Sequence, residues 1–372
     1  MSGPLEIPIE PLSVAGRIDR LRAALAGAEA DALLVTTMAN LRYLTGFTGS
    51  AALLLVTGDE AVLTTDGRYR TQAAGQLERA GARHVELVVG SATAQREAVK
   101  GVLTRAMRLG LEADAISWAA ARRWAELSSG VEVVPTAALV EGLRMVKDDG
   151  EIERMARAAH IADAALGEVL PMLGEGRTER EVALALDAAM RRRGAEDRAF
   201  ETIVASGPNS AMPHARPTTR RVERGDAVVV DFGAVYDGYR SDMTRTFCIG
   251  GGPAGEMARI FSVVADAQAA GVAAVVAGAC TGDVDAVCRN KIADAGFGEK
   301  FEHGTGHGVG LDIHEAPAVS PGATAILAAG VVVTVEPGIY VAGVGGVRIE
   351  DTVVVSADGR RVLTEFPKET AA

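Results

Sequence analysis

Apolar positions along the first 140 or so residues switch repeatedly between helical and strand spacing. Ile18, Leu21 and Leu25 mark one face of a helix over Val14–Ala30, and Ala32–Thr37 then reads as a buried strand. Ala51–Thr57 and Ala61–Thr65 are apolar runs separated by Gly58, Asp59 and Glu60, which predicts a hairpin. Helical spacing returns over Arg68–Ala80, Thr93–Met107 and Trp118–Ser128, with short strands near Val85–Val89, Leu109–Glu112 and Val131–Val134. This alternation predicts an α/β layer domain, and no dense polar cluster falls within it.

The pattern changes near Val146–Gly150. Asp148 and Asp149 are suited to cap a helix over Glu151–Leu170, whose apolar stripe runs through Ile152, Met155, Ala159 and Ala162. A second helix, Thr178–Arg193, ends at Gly194. Strands rich in β-branched residues follow, then helices near Pro253–Ala277 and Thr281–Ala295, then a strand-rich end, an order that predicts α+β. The expected division is therefore 1–146 and 147–372.

Within the second half the chain echoes itself. Val228–Val230 leads into Asp231, with Asp242 beyond the turn-forming pair Asp237-Gly238. Val331–Val333 leads toward Glu336, with Glu350 beyond Gly343, Gly345 and Gly346. Each half reads as a β-hairpin that brings two carboxylates together, and two facing hairpins would gather four acids around one point.

Composition narrows the function classes. The 372 residues carry 38 Lys and Arg against 49 Asp and Glu, a net charge of −11, with no basic run. That field disfavours nucleic acid and anionic membrane partners, and 4% aromatics offer few stacking platforms. Met1–Leu12, broken by Pro4, Pro8 and Pro11, lacks the order of a signal peptide. The apolar runs Ala269–Cys280 and Ala325–Val335 fall short of the roughly 18 residues that span a bilayer. Cys248, Cys280 and Cys288 include no CxxC pair, which fits a reducing cytoplasm.

Carboxylates in Val-rich strands need compensation, because crowded like charges raise one another's pKa unless a cation intervenes. A single such acid is best read as a salt-bridge or strand-end residue. Four in matched hairpins point instead to two divalent metals, and oxygen donors with an imidazole suit Mn²⁺, Co²⁺ or Zn²⁺. Three of the six histidines, His303, His307 and His314, fall within twelve residues, with glycines on both sides of His307. His214 follows the expected strand Thr202–Ala205, while His84 and His160 stand alone as structural residues.

Taken together, Val-Asp231-Phe-Gly, Ser-Asp242-Met-Thr-Arg-Thr, the run from His303 through His307 to His314-Glu, Val-Glu336-Pro-Gly-Ile-Tyr and Gly-Val-Arg348-Ile-Glu350-Asp resemble the pita-bread metallopeptidases. They are most similar to the proline-specific branch, Xaa-Pro dipeptidases (prolidases) and Xaa-Pro aminopeptidases (aminopeptidase P). Asn40–Phe47 and Thr65–Tyr69 resemble that branch's non-catalytic N-terminal domain. The resemblance implies an α/β creatinase-type N-terminal domain followed by an α+β pita-bread catalytic domain.

It also implies five metal ligands, Asp231, Asp242, His307, Glu336 and Glu350, for two divalent ions, Mn²⁺ first with Co²⁺ or Zn²⁺ as alternatives. Asp242 and Glu350 would bridge the pair, Asp231 would serve one ion, and His307 and Glu336 the other. His314 would stabilise an oxyanion, His214 and His303 would line the substrate subsites, Glu336 would shuttle a proton, and Arg348 would orient Glu or substrate carboxylates. The implied substrates are small proline-containing peptides, and the implied assembly is a homodimer. Asp66, Arg68 and Tyr69 are read as holding a strand-to-helix turn.

Competing readings are weaker. Asp231-Phe232-Gly233 copies a kinase triplet without the other kinase elements, Gly304–Gly310 lacks a P-loop ending, and no GxSxG is present. Creatinase-like amidinohydrolases and inactive interaction modules of this fold would have lost ligands. Methionine aminopeptidase would not need the long N-terminal domain. Dipeptidase and aminopeptidase stay open, because no motif shows what closes the far end of the site.

Overall fold

A computed structural model of the chain describes residues 9–103, 107–128 and 130–368. Part of the Pro-broken segment Met1–Leu12 (1–8) and the end of the expected helix Thr93–Met107 (104–106) lie outside the described residues. The chain divides into two compact units, Glu10–Arg144 and Met145 onward.

The first unit is built on one six-stranded sheet. Its strands are β1 (Ala32–Val35), β2 (Ala52–Thr57), β3 (Ala61–Thr65), β4 (Glu86–Val89), β5 (Arg108–Glu112) and β6 (Glu132–Thr136), in the spatial order β4-β3-β2-β1-β5-β6. β2 pairs antiparallel with both β1 and β3, and the outer pairings are parallel, as helix-linked strands require. Its helices are α1 (Arg17–Gly27), α2 (Met38–Thr45), α3 (Arg70–Arg79), α4 (Ala92–Leu103), α5 (Trp118–Leu127) and α6 (Leu139–Arg144). Asn40, on the short helix α2, explains a segment that periodicity alone does not reveal. Its amide donates to Glu112 and Glu141 at 2.7 and 2.6 Å and its oxygen accepts from Arg144, so a buried polar network fixes α2 and α6 where apolar spacing is weak. Asp66 caps the turn Gly67–Tyr69 through the Arg68 N–H at 3.0 Å.

The second unit repeats one plan twice. Helices α7 (Asp149–Val169) and α8 (Glu179–Arg192) precede β7 (Asp197–Arg198), β8 (Ile203–Ser206), β9 (Ala227–Phe232), β10 (Ala234–Tyr236), β11 (Tyr239–Arg240) and β12 (Met243–Cys248). Helices α9 (Gly255–Ala274) and α10 (Thr281–Asp294) precede β13 (Gly306–Gly308), β14 (Glu315–Val319), β15 (Val332–Val335), β16 (Gly338–Val341), β17 (Gly345–Arg348), β18 (Asp351–Ser356) and β19 (Gly359–Val362). Capping boxes start α7 at Asp148 with Glu151 and α8 at Thr178 with Glu181, each worth about 1 kcal/mol. Asp149 is therefore the first helical residue rather than a cap.

Each helix pair covers its own core. Ile161, Leu166, Leu186, Val228, Val230, Phe232 and Phe247 form one, and Ile260, Val264, Val284, Ile292, Val333, Val335, Val353 and Val355 form the other. Helix α9 is the one helix among the described residues long and apolar enough to cross a membrane, and its Ile260, Phe261, Val264 and Ala267 are buried in that second core. Its Gly271 lets α10 approach closely, since a Cβ there would stand 2.3 Å from the Cys288 sulfur. The three cysteines are free thiols.

Candidate metal centre

The two halves deliver their acids at equivalent places. In the first, β9 and β12 pair with Asp231 opposite Thr244, and beyond them β10 and β11 form a tighter hairpin. Asp237 and Gly238 turn it with φ of 43° and 74°, the left-handed pair that a type I′ turn demands. In the second half β15 pairs with β18 and the inner hairpin is β16 with β17. Asp242 lies between β11 and β12, Glu336 between β15 and β16, and Glu350 between β17 and β18. At each junction the chain passes from one hairpin to the next, which lets a strand side chain face inward without joining either apolar core.

The result is a buried acidic cluster. One ligand atom each from Asp242, His307 and Glu350 lies within 4.8 Å of the others. The His307 Nε2 stands 3.6 Å from Asp242 Oδ2 and 3.5 Å from Glu336 Oε1, too long for good hydrogen bonds and suited to donors facing a common centre. Asp231 joins through Arg348, whose Nη2 donates to Oδ2 at 2.6 Å, and its other oxygen is buried with no hydrogen-bond partner. Glu350 accepts from the Thr244 hydroxyl at 2.7 Å. An orphaned carboxylate oxygen, the buried carboxylates of Asp242 and Glu350, the half-buried Glu336 and one imidazole form a donor set that fits hard divalent cations.

Electrostatics lead to the same conclusion. Burial, then the charges of Glu350, Asp231 and Glu336, pushes the Asp242 carboxyl well above its ordinary range. Glu350 is raised the same way, by burial and then Glu336 and Asp231, and burial pushes Glu336 up to about 8. Burial also pushes His307 and His303 down to about 4, so both rings are neutral at pH 7. His307 Nδ1 faces the Gly308 carbonyl, which leaves the Nε2 lone pair for a metal, whereas both nitrogens of His303 are engaged, by the Gly304 carbonyl and the Tyr340 hydroxyl.

The histidine segment is placed by close backbone packing. A Cβ on Gly306 would meet the Thr334 carbonyl at 2.0 Å, and one on Gly308 the Ala316 carbonyl at 2.2 Å. Buried Asp285 on α10 accepts from the Thr305 N–H and hydroxyl at 3.1 and 2.9 Å, while Arg289 donates to the carbonyls of Phe301 and His303. Buried Lys147 pairs with Glu315 at 3.1 Å, and Glu315 in turn accepts from the Asp312 N–H at 2.9 Å, which fixes the turn bearing His314. The His314 ring packs edge-on against His307, centroids 4.4 Å apart.

All nine residues singled out from the sequence, His214, Asp231, Asp242, His303, His307, His314, Glu336, Arg348 and Glu350, line one cavity of about 490 Å³. His84 and His160 are exposed and are not among its walls. Arg348 orients an aspartate rather than a glutamate: its guanidinium donates to Asp231, the Tyr340 hydroxyl (2.7 Å), Thr244 Oγ1 (3.1 Å) and the Pro213 carbonyl (3.2 Å).

Tyr340 escaped assignment although it closes the quoted Glu336 motif. Its hydroxyl joins Arg348 to His303 Nε2 at 3.0 Å, and burial pushes it up to about 12. Glu179 gave no sequence signal beyond following a capping threonine. Fully buried, it accepts from Ser206 N and Oγ, Asn209 Nδ2, and Thr218 N and Oγ1, clasping both ends of the loop that carries His214. Burial opposes its charge, yet these donors hold its carboxyl below the ordinary range.

Comparison with known proteins agrees with this geometry. Residues 153–357 match metallopeptidase family M24, and residues 17–146 match the creatinase/prolidase N-terminal domain. The chain is 36% identical to a Xaa-Pro dipeptidase of Pyrococcus furiosus, over 91% of this chain and 94% of that one. Its structure is similar to a Xaa-Pro dipeptidase from Bacillus anthracis, with a TM-score of 0.92 and 40% identity over 96% and 99% of the two chains. It is also similar to an X-Pro aminopeptidase from Thermotoga maritima, with a TM-score of 0.86 and 35% identity over 94% and 100%.

Proposed function

This chain belongs to metallopeptidase family M24, and on that premise we propose that it hydrolyses the peptide bond preceding proline in Xaa-Pro dipeptides. The observation that carries the reading is the convergence of four carboxylates and a neutral His307 on the floor of one cavity. Xaa-Pro aminopeptidase action on longer peptides is the second reading, supported by the Thermotoga maritima similarity. An amidinohydrolase or an inactive interaction module would not need this complete donor set.

Asp231, Asp242, His307, Glu336 and Glu350 would hold two divalent ions, and Mn²⁺ is our first choice. When bound, these ions supply Lewis acidity and ready ionisation of water near neutral pH. Glu336 takes the proton released by the attacking water and passes it to the proline nitrogen. His314 donates to the scissile carbonyl oxygen as charge builds there. Neutral His303, held by Tyr340, and His214, held on its clasped loop, line the subsites for the two residues of the peptide. Because the bond before proline has no N–H, recognition falls on the ring and the free amine.

We also take the enzyme to divide at residue 146, to act as a cytoplasmic homodimer on small proline-containing peptides, and to bind neither nucleic acid nor membrane. The free thiols support the compartment, and the acidic charge supports the absence of nucleic acid and membrane partners.

The test is to load purified protein with Mn²⁺, offer Ala-Pro and Ala-Pro-Ala separately, and quantify released alanine, with EDTA as control. EDTA-sensitive cleavage of Ala-Pro alone supports the dipeptidase. Cleavage of the tripeptide supports the aminopeptidase. Cleavage of neither with Mn²⁺, Co²⁺ or Zn²⁺ overturns both.

A further inference from the structure

A Xaa-Pro dipeptide ends in a carboxylate one residue beyond the scissile bond, whereas a longer peptide has a neutral amide there. The cavity that must receive this end is acidic, for Asp231, Asp242, Glu336 and Glu350 line its floor and Glu201 its rim. Two lining side chains are cationic, Arg216 and Arg348. Arg348 is committed: it is buried, and four hydrogen bonds already occupy its guanidinium. It has no free fork for a second carboxylate.

Arg216 is in the opposite state. It lies two residues after His214, with its side chain 86% exposed and ion-paired at 3.4 Å to Glu201, itself 64% exposed. Glu201 belongs to the lining segment 200–203, so the pair joins two walls of the cavity at its rim. An exposed pair of this kind contributes little and exchanges readily, whereas a guanidinium matches a carboxylate with two parallel donors. The clasp of Glu179 on Ser206, Asn209 and Thr218 anchors the backbone on both sides of Arg216 and leaves its side chain free to turn.

We propose that Arg216 reads the C-terminal carboxylate of the substrate, and that Glu201 is the internal carboxylate it leaves to do so. The pair thereby selects Xaa-Pro dipeptides over longer chains. Glu201 holds the cation over the cavity when no substrate is bound and competes with the substrate for it. This rests on the Xaa-Pro reading above and names the feature of the substrate that the site recognises.

The experiment compares kcat/KM for Ala-Pro and for Ala-Pro-NH2, which has the same scissile bond and no C-terminal charge. It uses full-length Mn²⁺-loaded wild type, Arg216→Gln, Arg216→Lys and Glu201→Gln. Wild type is expected to favour the acid over the amide by roughly 3–10-fold, through KM, and to lose part of this preference at high salt. Arg216→Gln brings the ratio close to one, Arg216→Lys retains part of it, and Glu201→Gln increases it by removing the competitor. A ratio unchanged between wild type and Arg216→Gln, or lowered in Glu201→Gln, overturns the proposal while leaving the Xaa-Pro reading intact. Failure of the wild type to cleave either compound with Mn²⁺, Co²⁺ or Zn²⁺ overturns the Xaa-Pro dipeptidase reading itself.

Discussion

Removing divalent ions from this protein should make its stability fall as the pH rises. Without them Asp242, Glu336 and Glu350 share one buried space, and each carboxyl is held above its ordinary value, first by burial. A carboxyl that binds its proton more tightly in the folded state than in the unfolded one stabilises the fold while protonated, and this is lost as pH rises toward the folded value. His303 and His307, pushed down to about 4, act oppositely, but only between 4 and their ordinary 6.5. Above pH 6.5 the carboxyls therefore dominate. For Glu336 alone, from pH 6.5 to its value of about 8, roughly 1.4 kcal/mol per pH unit gives about 2 kcal/mol. In a unit of this size that corresponds to about 4–8 °C in Tm. The assay is thermal unfolding by circular dichroism of EDTA-treated protein at pH 6.5 and 8, with and without Mn²⁺. The expected result is a lower Tm at pH 8 in EDTA and a Mn²⁺ stabilisation that is larger at pH 8. A metal-free Tm that is flat or rises over this interval refutes the reasoning.

Two further substitutions test the supports of the site. Glu179→Gln keeps the shape but removes the charge that five donors converge on, and should cost about 2 kcal/mol in urea unfolding while raising KM for Ala-Pro more than it lowers kcat; unchanged kinetics would show that the clasp does not position the His214 loop. Lys147→Met strips the cation from buried Glu315 and should cost about 3–5 kcal/mol, with much of it recovered in Lys147→Met/Glu315→Gln, as a urea double-mutant cycle would show.

What the sequence made legible was what repeats or alternates. The helices α7 and α8 announce themselves through capping pairs, and Asp237-Gly238 announces its turn because so few residue pairs tolerate two left-handed positions. The matched Val runs before Asp231 and Glu336 disclose the duplicated hairpins, and four acids in Val-rich strands have no inexpensive explanation except a cation. Helices α2 and α6 were not legible, because polar contacts such as Asn40 with Glu112 and Arg144 hold them and no apolar stripe records such contacts. Tyr340, Asp285 and Glu179 were missed for a related reason. Most of their partners lie 8 to 39 residues away in sequence, and only the folded chain shows that a tyrosine, an aspartate and a glutamate are hydrogen-bond hubs. Arg348 was legible as a site residue but not in its detail, since its engagement by Asp231 depends on how two hairpins face each other.

The central claim is that Asp231, Asp242, His307, Glu336 and Glu350 together hold a pair of catalytic metal ions. Metal content by inductively coupled plasma mass spectrometry, after Mn²⁺ loading and removal of free ion, tests it most directly in wild type and Glu350→Gln. The account predicts two ions per wild-type chain and a loss of at least one in Glu350→Gln, whose side chain is the expected bridge. Wild-type protein that retains no Mn²⁺, Co²⁺ or Zn²⁺, or a Glu350→Gln variant that still retains two ions, would contradict it.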